Sequence, residues 1–596
     1  MMNITPLPSS TTTTILLIST LLLLRTLISL HPHSGQNNHH GSTIAYGGDY
    51  EAQRHWMELT LHLPLSQWYT YDPSYWGLDY PPLSAYGSYA IGWVSHYVVG
   101  PESVALGTSR GYEDTIHKAF LRGSVLVLDG IYIGAVWILA KRVVGGTTKN
   151  KDGMVTDRSM ASFGIVVGTA LAQPSLILID HGHFQYNSVC LGLSLLSFHY
   201  LSNGDGGGDA TTAIGTNAII GSILFCLALN WKQMGLYYAP AVFSYLLGRC
   251  CSSTSSNFPS GATAAGWGWW FRQFIKRLSV LGFTVLSTFG ILLTPFIYYR
   301  DASSQTIGDV LLLILRRIFP FQRGLFEGKV SNLWCMLSVK PLSIRDRIPQ
   351  EYQPIVALGV TMGLALPFCV VLFKVGSEGH QRDDGETTTM ATQRRQQRHL
   401  KALLWGSAGT SLSFFLASFQ VHEKSILLPL APLSLLIMEA PTFIIWVSLV
   451  ATWSLWHLLQ MDRLQVPYVC ISVLFCVVVR ACFAPRSGGG SIQPTKTRTN
   501  EGCCSVLARW GSVCFTTWLV PASFVGMAGL HLMELLITPP SHMPDIFPVL
   551  WVIEGCSFFC VTWIGILYFV WLEYNSDRGK GVVTDTSTST SRLKQE

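Results

Sequence analysis

The sequence predicts an all-α polytopic membrane protein. Only 12% of its 596 residues are charged, 49% are hydrophobic, and apolar runs recur to the C-terminal end. Soluble domains carry about 25% charged residues. Half that share over this length, with a mean hydropathy of +0.34, excludes an ordinary soluble enzyme and a disordered protein. The recurrence of the runs excludes a single anchor on a large soluble body. A net charge of +6 is too small to argue for a nucleic-acid partner, and Lys and Arg gather in particular loops.

The first apolar run is 15–30, interrupted by Arg25. No basic segment precedes it, so a retained helix is expected over a cleaved signal peptide. Crossing hydrocarbon takes about 20 mostly apolar residues. Further runs lie near 123–140, 161–179, 184–200, 213–229, 232–248, 277–298, 353–374, 402–420, 425–438, 441–459, 465–483, 511–535 and 546–572. The expectation is about fourteen spans. The stretch 86–99, broken by Gly and His, reads as an interfacial or re-entrant helix.

Basic clusters mark the cytoplasmic face. They sit at Lys141, Arg142, Lys149, Lys151 and Arg158; at Arg249, Arg272 and Lys276; at Arg382, Arg394, Arg395, Arg398 and Lys401; and at Arg486, Lys496, Arg498 and Arg509. These fall on every second connection, which makes both termini cytoplasmic. The opposite face receives long segments 31–122 and 299–352 and short turns at 180–184, 421–424 and 538–546. The chain then divides into a transmembrane module (1–484), a cytoplasmic linker (485–510), a C-terminal helix pair (511–574) and a flexible tail (575–596). Stretches 204–212 and 376–400 read as flexible low-complexity loops. Most of the fourteen cysteines lie within spans, so no disulfide framework is expected. The pairs Cys250-Cys251 and Cys503-Cys504 read as inert interface residues in preference to lipidated ones.

Polar residues crowded beside apolar spans are costly unless paired or wet. Four such places occur, all on the same predicted face. In the first, Glu51, Arg54, His55, Glu58 and His62 follow helical spacing among Trp56, Leu59 and Leu63, predicting an amphipathic surface helix stopped by Pro64. Asp49 just before it is either a helix N-cap or a general base at the lipid–water boundary. Trp68, Tyr69, Tyr71, Tyr75, Trp76 and Tyr80 form an interfacial belt or a sugar-stacking platform, and Asp79 to Pro82 a rigid turn. The second place runs from Asp180 through His181, His183, Gln185 and Tyr186 to Asn187. Two His one residue apart cannot share a helix face, so hydrogen bonding to a polar substrate or structural capping is preferred to a metal site. The third holds Arg323, which either grips a phosphate or pairs with Glu327. The fourth is His422-Glu423-Lys424 at a short turn, chemically suited to phosphate.

The segments G-D-Y-E-A-Q-R-H-W-M-E-L-T, W-G-L-D-Y-P-P-L, I-D-H-G-H-F-Q-Y-N, N-W-K-Q-M, R-I-F-P-F-Q-R-G-L-F-E and V-H-E-K occur in order between about residues 46 and 432. Together they resemble the dolichyl-phosphate-glucose-dependent glucosyltransferases of the endoplasmic reticulum. Gln53-Arg54-His55-Trp56 favours the members that add the first glucose to the nine-mannose dolichyl-diphosphate oligosaccharide over those that add the second. The resemblance implies a GT-C fold in the endoplasmic-reticulum membrane with a lumenal site, acting without metal or cofactor. It implies inverting transfer from dolichyl phosphate glucose to form an α-1,3 bond. The family's first-loop acid falls on Asp49, as base, and its motif histidine on His422, which with Lys424 and Arg323 would neutralise the departing phosphate. Glu51, Arg54, His55, Trp56, Asp79, Tyr80, Asp180, His181, His183, Gln185 and Tyr186 are expected to bind substrate. A transporter, the main alternative of another class, would carry its polar groups near mid-span, whereas these sit at span ends.

Overall fold

The computed structural model describes residues 10–31, 48–145, 157–204, 214–252, 263–301, 303, 305–319, 330–340, 342–378, 388–483 and 515–575. Arg323, the linker 485–510 and the tail beyond 575 lie outside them. Among the described residues every regular element is helical.

Helix α1 (Ser10–Ser29) carries its one charge inward: Arg25 is 1% exposed and lies 3.0 Å from Asp129. Helix α2 (Asp49–His62) begins after Gly48, whose φ of 100° suits glycine, and its last turn is followed by Pro64. Helix α3 (Pro82–Val98) starts on proline, which presets φ and needs no N–H partner in the first turn. Helix α4 (Thr115–Val143) is capped by Asp114, whose carboxylate accepts from Ile116 N at 2.8 Å. Helices α5 (Asp157–Leu171) and α6 (Pro174–Ile177) meet at a 43° bend where Pro174 breaks the hydrogen-bond ladder. The chain then widens into a π-helical turn, Leu178–Phe184, closed by Gln185 N donating to Asp180 O. Phe184 sits at φ 80°, a conformation that costs a non-glycine residue about 1–3 kcal/mol and persists only where packing enforces it.

Beyond this turn come α7 (Asn187–Leu201), α8 (Thr216–Trp231), α9 (Ala239–Cys251), the long α10 (Thr263–Tyr298) and the capped amphipathic α11 (Ile307–Ile318). Short α12 (Leu333–Leu337) and α13 (Ile344–Arg347) lead into α14 (Gln353–Ser377). Helices α9 and α14 touch backbone to backbone: a Cβ on Gly248 would fall 2.2 Å from Phe373 O, and one on Gly376 2.2 Å from Tyr245 O. Helix α15 (Thr388–Ala417) starts within the stretch expected to be a flexible loop. Its Gln- and Arg-rich start consists of good helix formers, and Arg395 and Arg398 anchor it to Glu378. Then follow α16 (Leu427–Ser434), α17 (Pro441–Ser454), α18 (Trp456–Met461), α19 (Gln465–Phe483), α20 (Val520–Leu536) and α21 (Ile546–Asn575).

The main core lies around the second half of α15, with α16, α17 and α21 packed on it; Trp453 and Trp551 stack there at 4.0 Å. Among the described residues five helices are long and apolar enough to cross a membrane, or six if the bent α5–α6 pair counts as one span. Several predicted runs form shorter or broken elements instead. Run 425–438, with Pro429 and Pro432, becomes a 3-10 turn (Glu423–Ile426) and the eight-residue α16, and run 441–459 divides into α17 and α18.

The first polar cluster differs from the expected surface helix. Residues Tyr50 to Thr60 of α2 are all buried. The aromatic run after it mostly forms a second core: Trp68 and Tyr69 pack on Phe296 of α10, beside Val310 and Ile314 of α11.

Candidate active site

Asp49 is the first residue of α2, and its side chain does not cap the helix; the cap position is Gly48. The carboxylate leaves the helix instead. Its Oδ2 lies 2.5 Å from His183 Nε2 and also accepts from Lys424 Nζ. No described residue bonds Oδ1, and the side chain keeps 24% of its surface exposed. Burial pushes the Asp49 carboxyl up, but Lys424 and His183 outweigh it and hold it well below the ordinary carboxylate range. Asp49 is therefore an anion with one oxygen tethered and one that no described residue bonds.

Three chain segments meet there: the start of α2, the end of the π-helical turn and the 3-10 turn before α16. A fourth joins from behind, where His183 Nδ1 is bonded to Asp462, in the connection between α18 and α19. Beside this line Lys232 Nζ donates to Gln185 Oε1 (2.8 Å) and Asn187 Oδ1 (2.6 Å) and lies 5.1 Å from the centre of the Tyr80 ring. The Tyr80 hydroxyl donates to the same Gln185 oxygen at 3.3 Å.

Other candidates take internal partners. Asp180 accepts from Asn187 Nδ2 (2.7 Å) and Ser188 N (2.8 Å), fastening the start of α7. His181 bonds Asp129 at 2.8 Å, beside Arg25. Tyr186 shares a bond with Ser124 at 2.8 Å. The Asp79 carbonyl accepts from Gln233 Nε2 at 3.5 Å, and Trp56 donates to Trp76 O while its ring lies 4.6 Å from that of Tyr80.

One turn into α2 lies a closed ionic knot. Arg54 grips Glu51 with two bonds (2.8 and 2.5 Å) and Glu58 with one (2.8 Å). Glu58 also accepts from Gly107 N and Ser109 Oγ and faces His55 Nδ1 at 3.2 Å; Tyr75 donates to Glu51. Arg54 and Glu58 are 0% exposed. Burial opposes the Glu58 charge, yet His55, Arg54 and the Gly107 amide bring its carboxyl down to about 2.

His422 is exposed, two residues before Lys424, and its carbonyl accepts from Ser425 N. The structure thus brings Asp49, His183 and Lys424 into direct contact, with Gln185 and Tyr80 meeting around Lys232 beside them. Sequence reasoning missed Asp462 and Lys232 as individuals. The alternation that placed 180–184 and 421–424 on one face puts 230–232 and 460–464 there too. A lone acid or cation in so short a connection was the available signal.

The sequence profile of the ALG6, ALG8 glycosyltransferase family matches residues 21–566. The chain is 36% identical over 572 residues to a Gallus gallus protein named dolichyl pyrophosphate Man9GlcNAc2 alpha-1,3-glucosyltransferase, covering 94% of this chain and 96% of that one. Proteins of the same name from Mus musculus (35%, covering 89% of this chain and 92% of the relative) and Saccharomyces cerevisiae (33%, covering 92% and 89%) are similarly related.

Proposed function

This chain belongs to the ALG6, ALG8 glycosyltransferase family, and on that premise we propose that it transfers glucose in α-1,3 linkage to Man9GlcNAc2 carried on dolichyl pyrophosphate. The donor is dolichyl phosphate glucose and the site faces the lumen of the endoplasmic reticulum, with both termini cytoplasmic. About fourteen crossings fit this reading if the shorter helices also cross, since broken helices are tolerated at membrane depth when buried in protein.

The observation that carries the mechanism is the Asp49 junction, where a partly exposed anion has one oxygen that no described residue bonds, beside a cation from a distant turn. A β-linked donor and an α-linked product require a single displacement with inversion. The acceptor hydroxyl oxygen attacks C1 of glucose as the bond from C1 to the phosphate oxygen breaks. The hydroxyl proton goes to Asp49 Oδ1, and dolichyl phosphate leaves with the bonding electrons. While Lys424 rests on Asp49, the carboxylate is a weak base. A donor phosphate competes for Lys424, drawing the cation toward developing charge and returning proton affinity to Asp49. His422, on the same turn, is the second cation for that phosphate.

Purified protein given dolichyl phosphate glucose and either the unglucosylated or the monoglucosylated acceptor tests the reading. Transfer to the first acceptor alone is the expected result. Transfer to the second alone would reassign the chain to the second-glucose step, and transfer to neither would discard the activity. His422→Ala should slow transfer with protein level maintained; a fall in abundance alone would make His422 structural.

A further inference from the structure

Asp462 and His183 play no part in bond making, yet both are nearly buried, and a buried carboxylate is costly unless paired. The Asp462 side chain is 9% exposed and that of His183 8%. Among the described residues the Asp462 carboxylate bonds His183 Nδ1, while the Asp462 backbone N donates to Leu458 O. The opposite ring nitrogen points at Asp49 Oδ2, 2.5 Å away. A neutral imidazole has a single N–H, so donating to two carboxylates at once requires the imidazolium. The result is an unbroken line of acid, imidazolium and acid, drawn from three segments far apart in the sequence.

The backbone is shaped to close this line. Gly182 lies against Leu464, where an added Cβ would come within 2.9 Å of Leu464 Cδ1. The missing side chain lets the turn bearing Asp462 settle onto the turn bearing His183. The Asp462 turn is tight in its own right: Arg463 has φ 57°, and Leu464 N donates back to Leu459 O at 2.7 Å. Phe184, at φ 80°, fixes the exit of the chain from His183.

We propose that Asp462 is a positioning residue for glucosyl transfer: by clamping His183 from behind, it fixes the rotamer of Asp49 and presents Oδ1 to the acceptor hydroxyl. Charge-assisted bonds are roughly twice as strong as neutral ones. Two of them in series hold Oδ2 after Lys424 has moved to the donor phosphate, when Asp49 would otherwise have nothing to orient it. Among the described residues, Lys424, Asp462 and His183 are the titratable groups at the Asp49 junction, with Lys232 and Asp180 next to it. The inference rests on Asp49 being the base.

The test is a set of full-length variants assayed with dolichyl phosphate glucose and the unglucosylated acceptor. Asp462→Asn should lower kcat by about 10²-fold, the cost of a small misplacement of a reacting group, with KM for both substrates within about twofold of the parent. Asp462→Glu should recover most of the loss, and it carries the test if the Asn variant does not fold. His183→Gln should match Asp462→Asn, and the double variant should be no slower than His183→Gln alone, because one line can be broken only once. Multiplying losses in the double variant, an unchanged kcat in Asp462→Asn, or a fall in melting temperature with KM and kcat moving together would overturn the proposal. Asp49→Asn, assayed in parallel, separates the two ideas: if that variant is active the base assignment fails, and if it is dead while Asp462→Asn is normal only the positioning role fails.

Discussion

Helix α2 takes part in two adjacent ionic clusters, each built from carboxylate, imidazole and cation. At its first residue, Asp49 reaches out to partners from other segments, stays partly exposed and keeps an oxygen that no described residue bonds. A turn later, Glu51, Arg54, His55 and Glu58 bond chiefly to one another and to residues 75–109, and both Arg54 and Glu58 are sealed from solvent. The difference separates chemistry from scaffolding. A charge that has used all its bonding capacity inside the protein can hold a helix in place but has nothing left for a substrate. A charge with capacity to spare at a solvent-reachable edge can react.

The sharpest way to break this comparison is Asp49→Asn. Transfer should fall by about 10²–10⁴-fold, the usual contribution of a positioned base, while thermal unfolding in detergent changes little; a large drop in melting temperature would move Asp49 into the scaffold class. Arg54→Met should do the reverse. It strands Glu51 and Glu58 without their cation, which costs about 3–5 kcal/mol, visible as a lower unfolding midpoint, with near-normal turnover per folded molecule. A normal midpoint with a raised KM would return Arg54 to the substrate.

The pH dependence sharpens the comparison further. Asp49 is held well below its ordinary range by Lys424 and His183 against the effect of burial, so kcat/KM should lose activity only as pH falls through that depressed value. Lys424→Met removes one restraining cation, so the acid limb should move to higher pH. A limb that stays in place would detach Lys424 from the base. The smallest effect belongs to the knot's rim: Tyr75→Phe removes one hydrogen bond to Glu51, worth about 1 kcal/mol in unfolding free energy, with turnover unchanged.

These two clusters also show how far sequence carries. The apolar runs and the placement of basic loops identify a helical membrane protein and gather Asp49, His183 and Lys424 on one face, because hydrocarbon thickness and loop charge act locally along the chain. The motifs carry the family. Which side chains are sealed depends on packing between segments that are apart in the sequence, by tens of residues at α2 and by hundreds at Asp462. The amphipathic spacing of α2 therefore read as a surface helix, although the segments after it cover its polar face. Arg54 and Asp49 looked equally available for the same reason. Asp462 could not be singled out, since its meaning lies in a ring nitrogen 279 residues away in sequence.

The pairing of Arg25 with Asp129, and of Asp129 with His181, bears on biosynthesis. An unpaired arginine is costly in an apolar setting, at most about 2.5–3.5 kcal/mol at a helix centre; Arg25 sits in the C-terminal half of α1, and α1 is synthesised before α4. Arg25 therefore gains its counter-ion only after α4 has formed, and the turn that bears His181 and His183 is braced only once both helices are in place. Order of synthesis is thereby tied to the residues that brace the turn carrying His183.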